Sequence, residues 1–175
     1  LYVKDGDKKM TTLYANPYDL SARGFYFETA EDYAEKSQAL RNSFGDPVEE
    51  FEIEFIDGES IDAELGKVWS LNQCNFTAFF DACEKWEECK KVRFIIAVGE
   101  CGYDFDADAV SLDDVDVYEC DSMRELAEQF VDEGLFGDIP NHLENYIDYD
   151  AIARDLAIDY SETRINGQNL IYRCA

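Results

Sequence analysis

Apolar positions along this chain recur with two different periods, and the switches between them mark its elements. Residues 13–16 and 24–27 are short apolar runs separated by the turn-prone Asn16-Pro17 and by residues 21–23, a pattern that predicts two strands. Thr29 stands where it can cap a helix over residues 30–44. Ala30, Tyr33, Ala34, Ser37 and Leu40 share one face of that helix, and Asp32 sits in its first turn, where the helix dipole favours an acid. Gly45-Asp46-Pro47 ends it. Phe51, Ile53 and Phe55 then alternate with Glu52 and Glu54, which predicts a half-buried strand with acids outward, closed at Gly58.

From residue 60 to 114 the period is mainly helical. Ile61, Leu65, Val68 and Trp69 form one stripe, and Phe76, Phe79, Phe80 and Cys83 another. The apolar run 92–98 suits a strand or a buried helix by periodicity, and its helical neighbours favour the helix. Residues 115–119 read as a strand. Ser122-Met123-Arg124-Glu125 is a capping box, followed by Leu126, Ala127, Phe130 and Val131 on one helical face, and Gly134 stops that helix. Pro140 opens a predicted second helix through Leu143 and Tyr146. Asp148 caps a third with Ala151, Ile152, Asp155 and Leu156. Residues 163–165 and 168–173 flank Asn166-Gly167, the strongest short hairpin signal.

These elements predict an α+β protein that is elongated and built of three small modules. Residues 1–9 read as a tag or N-terminal extension ahead of Met10. Residues 10–59 form an α/β module and 60–114 a mainly helical one. Residues 115–175 form an α+β module of three helices with a short antiparallel sheet. A single compact domain is the alternative. Modules of this size are near the lower limit for an independent core, so they should lean on one another.

Charge changes the picture most. Forty acids face fifteen bases in 175 residues, a net charge of −25. Self-repulsion on this scale destabilises a compact state, so the excess calls for a functional reason. Disorder does not supply it, because 46% of the residues are apolar and 14% aromatic. B-form DNA carries one phosphate charge per about 1.7 Å of axis, so 25 charges match roughly 40 Å of duplex, about 12 base pairs. Such a surface repels nucleic acid and anionic membranes and attracts basic surfaces or cations. A generically soluble acidic protein is the plainer reading. The excess is uneven: residues 94–160 hold nineteen acids and only Arg124 and Arg154 as bases, a net −17. The middle segment carries a basic cluster, Lys85, Lys90, Lys91 and Arg93.

Chemistry is sparsely signalled, and no enzyme activity or cofactor is expected. The one histidine, His142, falls on the helix predicted after Pro140 and reads as a surface or capping residue. The six cysteines form no C-x-x-C pair, so a zinc site is not expected, and with no secretory signal they read as cytosolic thiols. Asp104, Asp106 and Asp108 open like a calcium-binding EF-hand loop. Ala109 replaces its turn glycine, however, and Val115 its bidentate glutamate, so no designed metal site is indicated.

Residues 126–157, LAEQFVDEGLFGDIPNHLENYIDYDAIARDLA, resemble the C-terminal signature of the ArdA antirestriction family. Weaker similarities lie in residues 13–27 (Tyr-Ala-Asn-Pro-Tyr and Gly-Phe-Tyr-Phe), 50–56 and 102–118, with residues 73–98 the loosest. The resemblance implies an elongated, homodimeric mimic of B-form DNA. It also implies a partner, the basic DNA-binding cleft of a type I restriction–modification enzyme in the bacterial cytoplasm, and protection of incoming plasmid or phage DNA. A mimic that blocks another defence complex, of the anti-CRISPR kind, and an acidic calcium-binding protein are the competing readings.

The expected mimic surface comprises Asp104, Asp106, Asp108, Asp113, Asp114, Asp116, Glu119, Asp121, Glu125, Glu128, Asp132, Glu133, Glu144, Asp148, Asp150 and Asp155. Leu135, Phe136 and Ile139 lie in the turn between two predicted helices, where apolar side chains need cover. Packing within the chain and a twofold dimer contact both supply it.

Overall fold

The computed structural model describes residues 9–105 and 112–174. Residues 1–8 of the expected extension at 1–9, and Asp106 and Asp108, lie outside the described residues. The architecture is α+β, with two three-stranded antiparallel sheets and six α-helices among the described residues.

The first sheet has the order β2-β1-β3, from β1 (Thr12–Pro17), β2 (Phe25–Phe27) and β3 (Phe51–Asp57). Alternation decides its faces. Leu13, Ala15, Phe51 and Ile53 point into the core, and Glu52 and Glu54 point to solvent, as the sequence predicts. Gly24 is required ahead of β2, because a Cβ there would sit 2.4 Å from the Ala15 carbonyl oxygen and from the Tyr14 hydroxyl.

Helix α1 runs Ala30–Ala39, with Thr29 Oγ1 accepting from the Asp32 N–H. It stops five residues before the expected end at residue 44. The Asn42 side-chain carbonyl accepts from the Phe44 and Asp46 N–H groups, and this local turn outcompetes another helical turn.

The three middle helices are α2 (Ser60–Trp69), α3 (Phe76–Lys85) and α4 (Glu88–Gly99). The ambiguous run 92–98 is therefore helical, and it is buried. Trp69, Phe79, Phe94 and Ile96 are fully enclosed, and the helices meet the first sheet where Phe79 packs on Phe55 and where Phe76 and Phe80 pack on Phe27. Trp69 lies 5.5 Å from Phe79 and 5.2 Å from Phe94 between ring centres.

A 3-10 turn, Leu112–Asp114, leads into β4 (Val115–Tyr118). Helices α5 (Met123–Asp132) and α6 (Tyr149–Leu156) follow, then β5 (Ser161–Ile165) and β6 (Gln168–Cys174). The second sheet has the order β4-β6-β5. Asn166 and Gly167 turn the hairpin with φ of 51° and 78°, both in the left-handed region that a two-residue turn of this type needs. Val115, Ile165, Leu170 and Tyr172 join the main core. Cys120, Leu126, Phe130, Tyr160 and Ile171 form a smaller core beneath α5.

Two expectations are corrected here. The helix predicted after Pro140 is absent: residues 140–146 bond three residues apart (Leu143 N–H to the Pro140 carbonyl, Tyr146 N–H to the Leu143 carbonyl) and form only the 3-10 turn Glu144–Tyr146. The C-terminal region thus holds two α-helices, where three were expected, and His142 sits in an exposed turn. The cysteines are not all thiols. Folding brings Cys101, just past α4, within 6.0 Å (Cα to Cα) of Cys174 on β6, and the two are joined as a disulfide across 73 residues.

Candidate interaction surface of the C-terminal acids

Helix α5 is the best-defined carrier of the acidic surface. Its buried face is Leu126, Ala127 and Phe130, so Glu125, Glu128 and Asp132 fall on other faces at spacings of three and four residues. Asp121 lies one turn ahead of Glu125. At 1.5 Å rise per residue these acids stand about 4.5–6 Å apart along the axis. One DNA strand places its phosphates about 3.4 Å apart. A single acidic stripe therefore carries a little over half the linear charge density of a strand.

Capping fixes the start of this stripe. Ser122 Oγ accepts from the Glu125 N–H at 3.3 Å, and Glu125 Oε2 accepts from the Asp121 N–H at 2.7 Å. The end is fixed by Gly134 at φ 76°: its N–H donates to the Val131 carbonyl, and the Leu135 N–H donates to the Phe130 carbonyl. Asp148 caps α6 by accepting from the Ala151 N–H at 2.9 Å.

Fourteen of the sixteen expected surface acids are described. Twelve are exposed; Asp116 and Glu128 are half-buried. Three have a cationic partner. Arg124 binds Glu128 at 3.0 Å and Asp150 at 2.8 Å, bridging α5 to α6, and its hydrogen bonds to Glu128, first, and to Asp150 raise the guanidinium pKa. Arg173 binds Asp116 at 2.6 Å, and its pKa is raised chiefly by that contact. The remaining eleven carry no ion pair. Among them, Asp121 also accepts from Asn169 Nδ2, and Glu133 from Gln129 Nε2.

The structure places Leu135 and Phe136 in solvent, at 58% and 54% exposure, with Ile139 half-buried beside them. Leu143 and Tyr146 add to the same exposed stretch of chain. Cover from within the chain is therefore missing for Leu135 and Phe136.

Sequence reasoning missed the most distinctive charged contact, which lies in the middle helices. Asp62 on α2 and Lys91 on α4 are both buried and meet at 2.5 Å, and Lys91 Nζ also donates to the Cys83 carbonyl on α3 at 2.9 Å. Asp62 Oδ2 has no nitrogen or oxygen partner, and the Cys83 thiol faces it. The signal was present: Asp62 falls beside Ile61 and three residues before Leu65, on the apolar stripe of α2. Two more members of the basic cluster are engaged. Lys85 pairs with Asp81 at 2.7 Å and Lys90 lies 4.0 Å from the Trp86 ring centre, while Arg93 is exposed.

A cleft of about 550 Å³ between the start of β1, the start of α1 and α3 has Cys83 and Phe80 in its wall and Glu28, Glu31, Asp81 and Glu84 around it. Burial first, and then the Asp62 charge, push the Cys83 thiol up to about 12, so it stays protonated and a poor nucleophile at neutral pH. Among the described residues no three His, Cys, Asp or Glu side chains converge as a metal site, and no helix is long and apolar enough to cross a membrane.

Comparison with curated proteins found no match. Comparison with protein families gave one that covers residues 21–168, nearly the whole described chain, and includes the acidic stripe, the Gly134 turn and the Asp148 cap. The chain belongs to the ArdA antirestriction protein family.

Proposed function

We propose that the protein inhibits restriction by occupancy, acting as a mimic of B-form DNA in the DNA-binding cleft of type I restriction–modification enzymes. The observation that carries this reading is the surface of residues 104–155, where twelve of the fifteen described acids have no cationic partner. Those carboxylates stand in for phosphates and meet the Lys and Arg side chains of the cleft. No bond is made or broken. The site of action is the cytoplasm of the host bacterium, where incoming plasmid or phage DNA meets the enzyme.

The working form in this proposal is a homodimer joined through Leu135, Phe136 and the half-buried Ile139. An isologous contact there gives each apolar residue the cover that its own chain withholds. Two copies extend the charge track to about 80 Å, roughly 24 base pairs at the phosphate spacing, enough to span a bipartite site.

Competition binding tests the proposal. A labelled duplex bound to a type I enzyme should be displaced by the protein, and displacement should weaken steeply as salt rises, as it does for a polyanion. Inhibition without displacement of DNA would overturn the mimic reading. Displacement of DNA from an RNA-guided nuclease, with none from the type I enzyme, would move the target to the other class of defence complex.

A further inference from the structure

The Cys101–Cys174 disulfide sits at one defined place: the base of the acidic segment that links α4 to β4. One foot of that segment is residues 101–103. The Cys101 N–H donates to the Ile96 carbonyl and the Tyr103 N–H to the Ala97 carbonyl, so this foot is tied to the end of α4. The other foot is Val115, buried and paired in register with Cys174 on the neighbouring strand β6. The disulfide therefore closes the base covalently, joining the first foot to the strand that holds the second. Asp104 stands just past one foot, and Asp113 and Asp114 just before the other. All three are exposed.

We propose that this disulfide is a redox device that sets how firmly these acids are presented, so that the oxidised protein is the stronger inhibitor. The effect on inhibition rests on the mimic reading above; the device itself does not. Exposure directs the chemistry. Cys174 is exposed and Cys101 half-buried, so a low-molecular-weight thiolate such as glutathione attacks Sγ of Cys174. That attack forms a mixed disulfide at Cys174 and expels the Cys101 thiolate, which takes a proton from water. A second glutathione thiolate resolves the mixed disulfide. Two cysteine thiols and one glutathione disulfide result, and the reverse exchange closes the base again.

Reduction leaves the second sheet docked. At its opposite end the Asn166 N–H donates to Glu64 at 3.0 Å, and Asn166 Nδ2 donates to Glu88 at 2.8 Å. Val115, Ile165, Leu170 and Tyr172 also keep their places in the main core. The change is thus local to the two feet. The bacterial cytoplasm is reducing, so the device keeps the weaker form at rest and the stronger form under oxidative stress.

The test uses the full chain carrying Cys74→Ser and Cys89→Ser, which removes the two exposed thiols outside the pair. It is equilibrated with glutathione disulfide or with glutathione. Peptide mapping should find Cys101 linked to Cys174 after oxidation. Hydrogen exchange over residues 101–105 and 112–118 should be slower by about tenfold or more in the oxidised form. Restriction assays should show inhibition about three- to tenfold stronger when oxidised, because ordered acids meet their partners at lower entropic cost. Adding Cys174→Ser should fix the weaker value under both conditions. Absence of the Cys101–Cys174 link after oxidation, or equal exchange in both forms, would overturn the device. Slower exchange with equal inhibition would overturn its regulatory role. Slower exchange with no inhibition in either form would leave the device standing and remove the mimic reading instead.

Discussion

Helices α2–α4 and helices α5–α6 use the same residue types to opposite ends. The middle three bury Trp69, Phe79, Phe94 and Ile96 completely, and they bury charge as well: Asp62 and Lys91 meet at 2.5 Å out of water. Helix α5 buries three residues and α6 none. Their charges lie outside, and so do Leu135, Phe136 and Tyr146 in the chain between them. Residues 9–105 hold twenty acids and nine bases; residues 112–174 hold sixteen and four in two-thirds of the length. The first region is a scaffold in which one buried charge pair ties α2 to α4, and the second is a surface with a thin core beneath it. Substituting a charge of that buried pair should therefore cost stability, and substituting the exposed acids of the second region should cost function.

The sharpest break in that contrast is Lys91→Met. It leaves the Asp62 carboxylate buried without its partner and should lower stability by about 3–5 kcal/mol, read from urea unfolding. Asp62→Leu combined with Lys91→Met should recover most of the loss, because neither charge is then stranded. A single substitution that costs less than about 1 kcal/mol would place the pair in water and remove the distinction between the two regions.

Phe136→Asp should act on assembly and leave folding alone, since the side chain is 54% exposed. Sedimentation should show dimer replaced by monomer. For the unaltered chain, association should strengthen with salt, as screening shortens the repulsion between two chains of −25. A variant that stays dimeric would move the interface away from the Gly134 turn.

Asp148→Ala removes the α6 cap and should cost about 1 kcal/mol. Because α6 buries no residue, the loss should register as fraying of residues 149–156 in hydrogen exchange ahead of global unfolding. Protection unchanged at those residues would show that packing against α5, and not the cap, holds α6.

How much of this contrast the sequence carried follows from the range of the forces involved. Alternation in residues 51–55 and the Asn166-Gly167 turn are local, and both were readable. So were the Ser122 and Asp148 caps, which act within four residues. Helix α1 was extended too far because periodicity does not register the Asn42 side chain competing for the Phe44 and Asp46 N–H groups. The helix expected from Pro140 failed because Leu143 and Tyr146 find nothing to pack against, and both stay exposed. The Asp62–Lys91 pair and the Cys101–Cys174 bond join residues 29 and 73 apart. The place of Asp62 on the apolar stripe of α2 signals its burial, but no local pattern announces the partner in either case. That most of the C-terminal acids face solvent was legible one by one. Their partners were not: that Arg124 takes up two of them depends on how α5 packs against α6.

A smaller effect sharpens the picture of the N-terminal loops. Ser21 Oγ, then Asn42 Nδ2, then the Ser21 N–H hold the Asp19 carboxyl below its ordinary value of 3.8. A lowered folded value means that the stabilisation is present above 3.8 and is lost as pH falls through the folded value. Carboxyl titration by NMR should find Asp19 below 3.8, with the Ser21 amide following it. Titration at or above 3.8 would contradict the link between the two loops.

The central claim is that inhibition comes from many exposed carboxylates acting together, each worth no more than an exposed ion pair, roughly 0.2–1 kcal/mol. The direct measurement is restriction inhibition across a neutralisation series. It starts with single amide substitutions at Asp113, Asp114, Glu119, Glu125, Asp132 and Asp155 and ends with all six together. Each single change should weaken inhibition by less than about fivefold, and the sixfold variant, still folded, should lose about one to four orders of magnitude. One Asp→Asn change that abolishes inhibition, or a folded sixfold variant that retains it, would contradict the account.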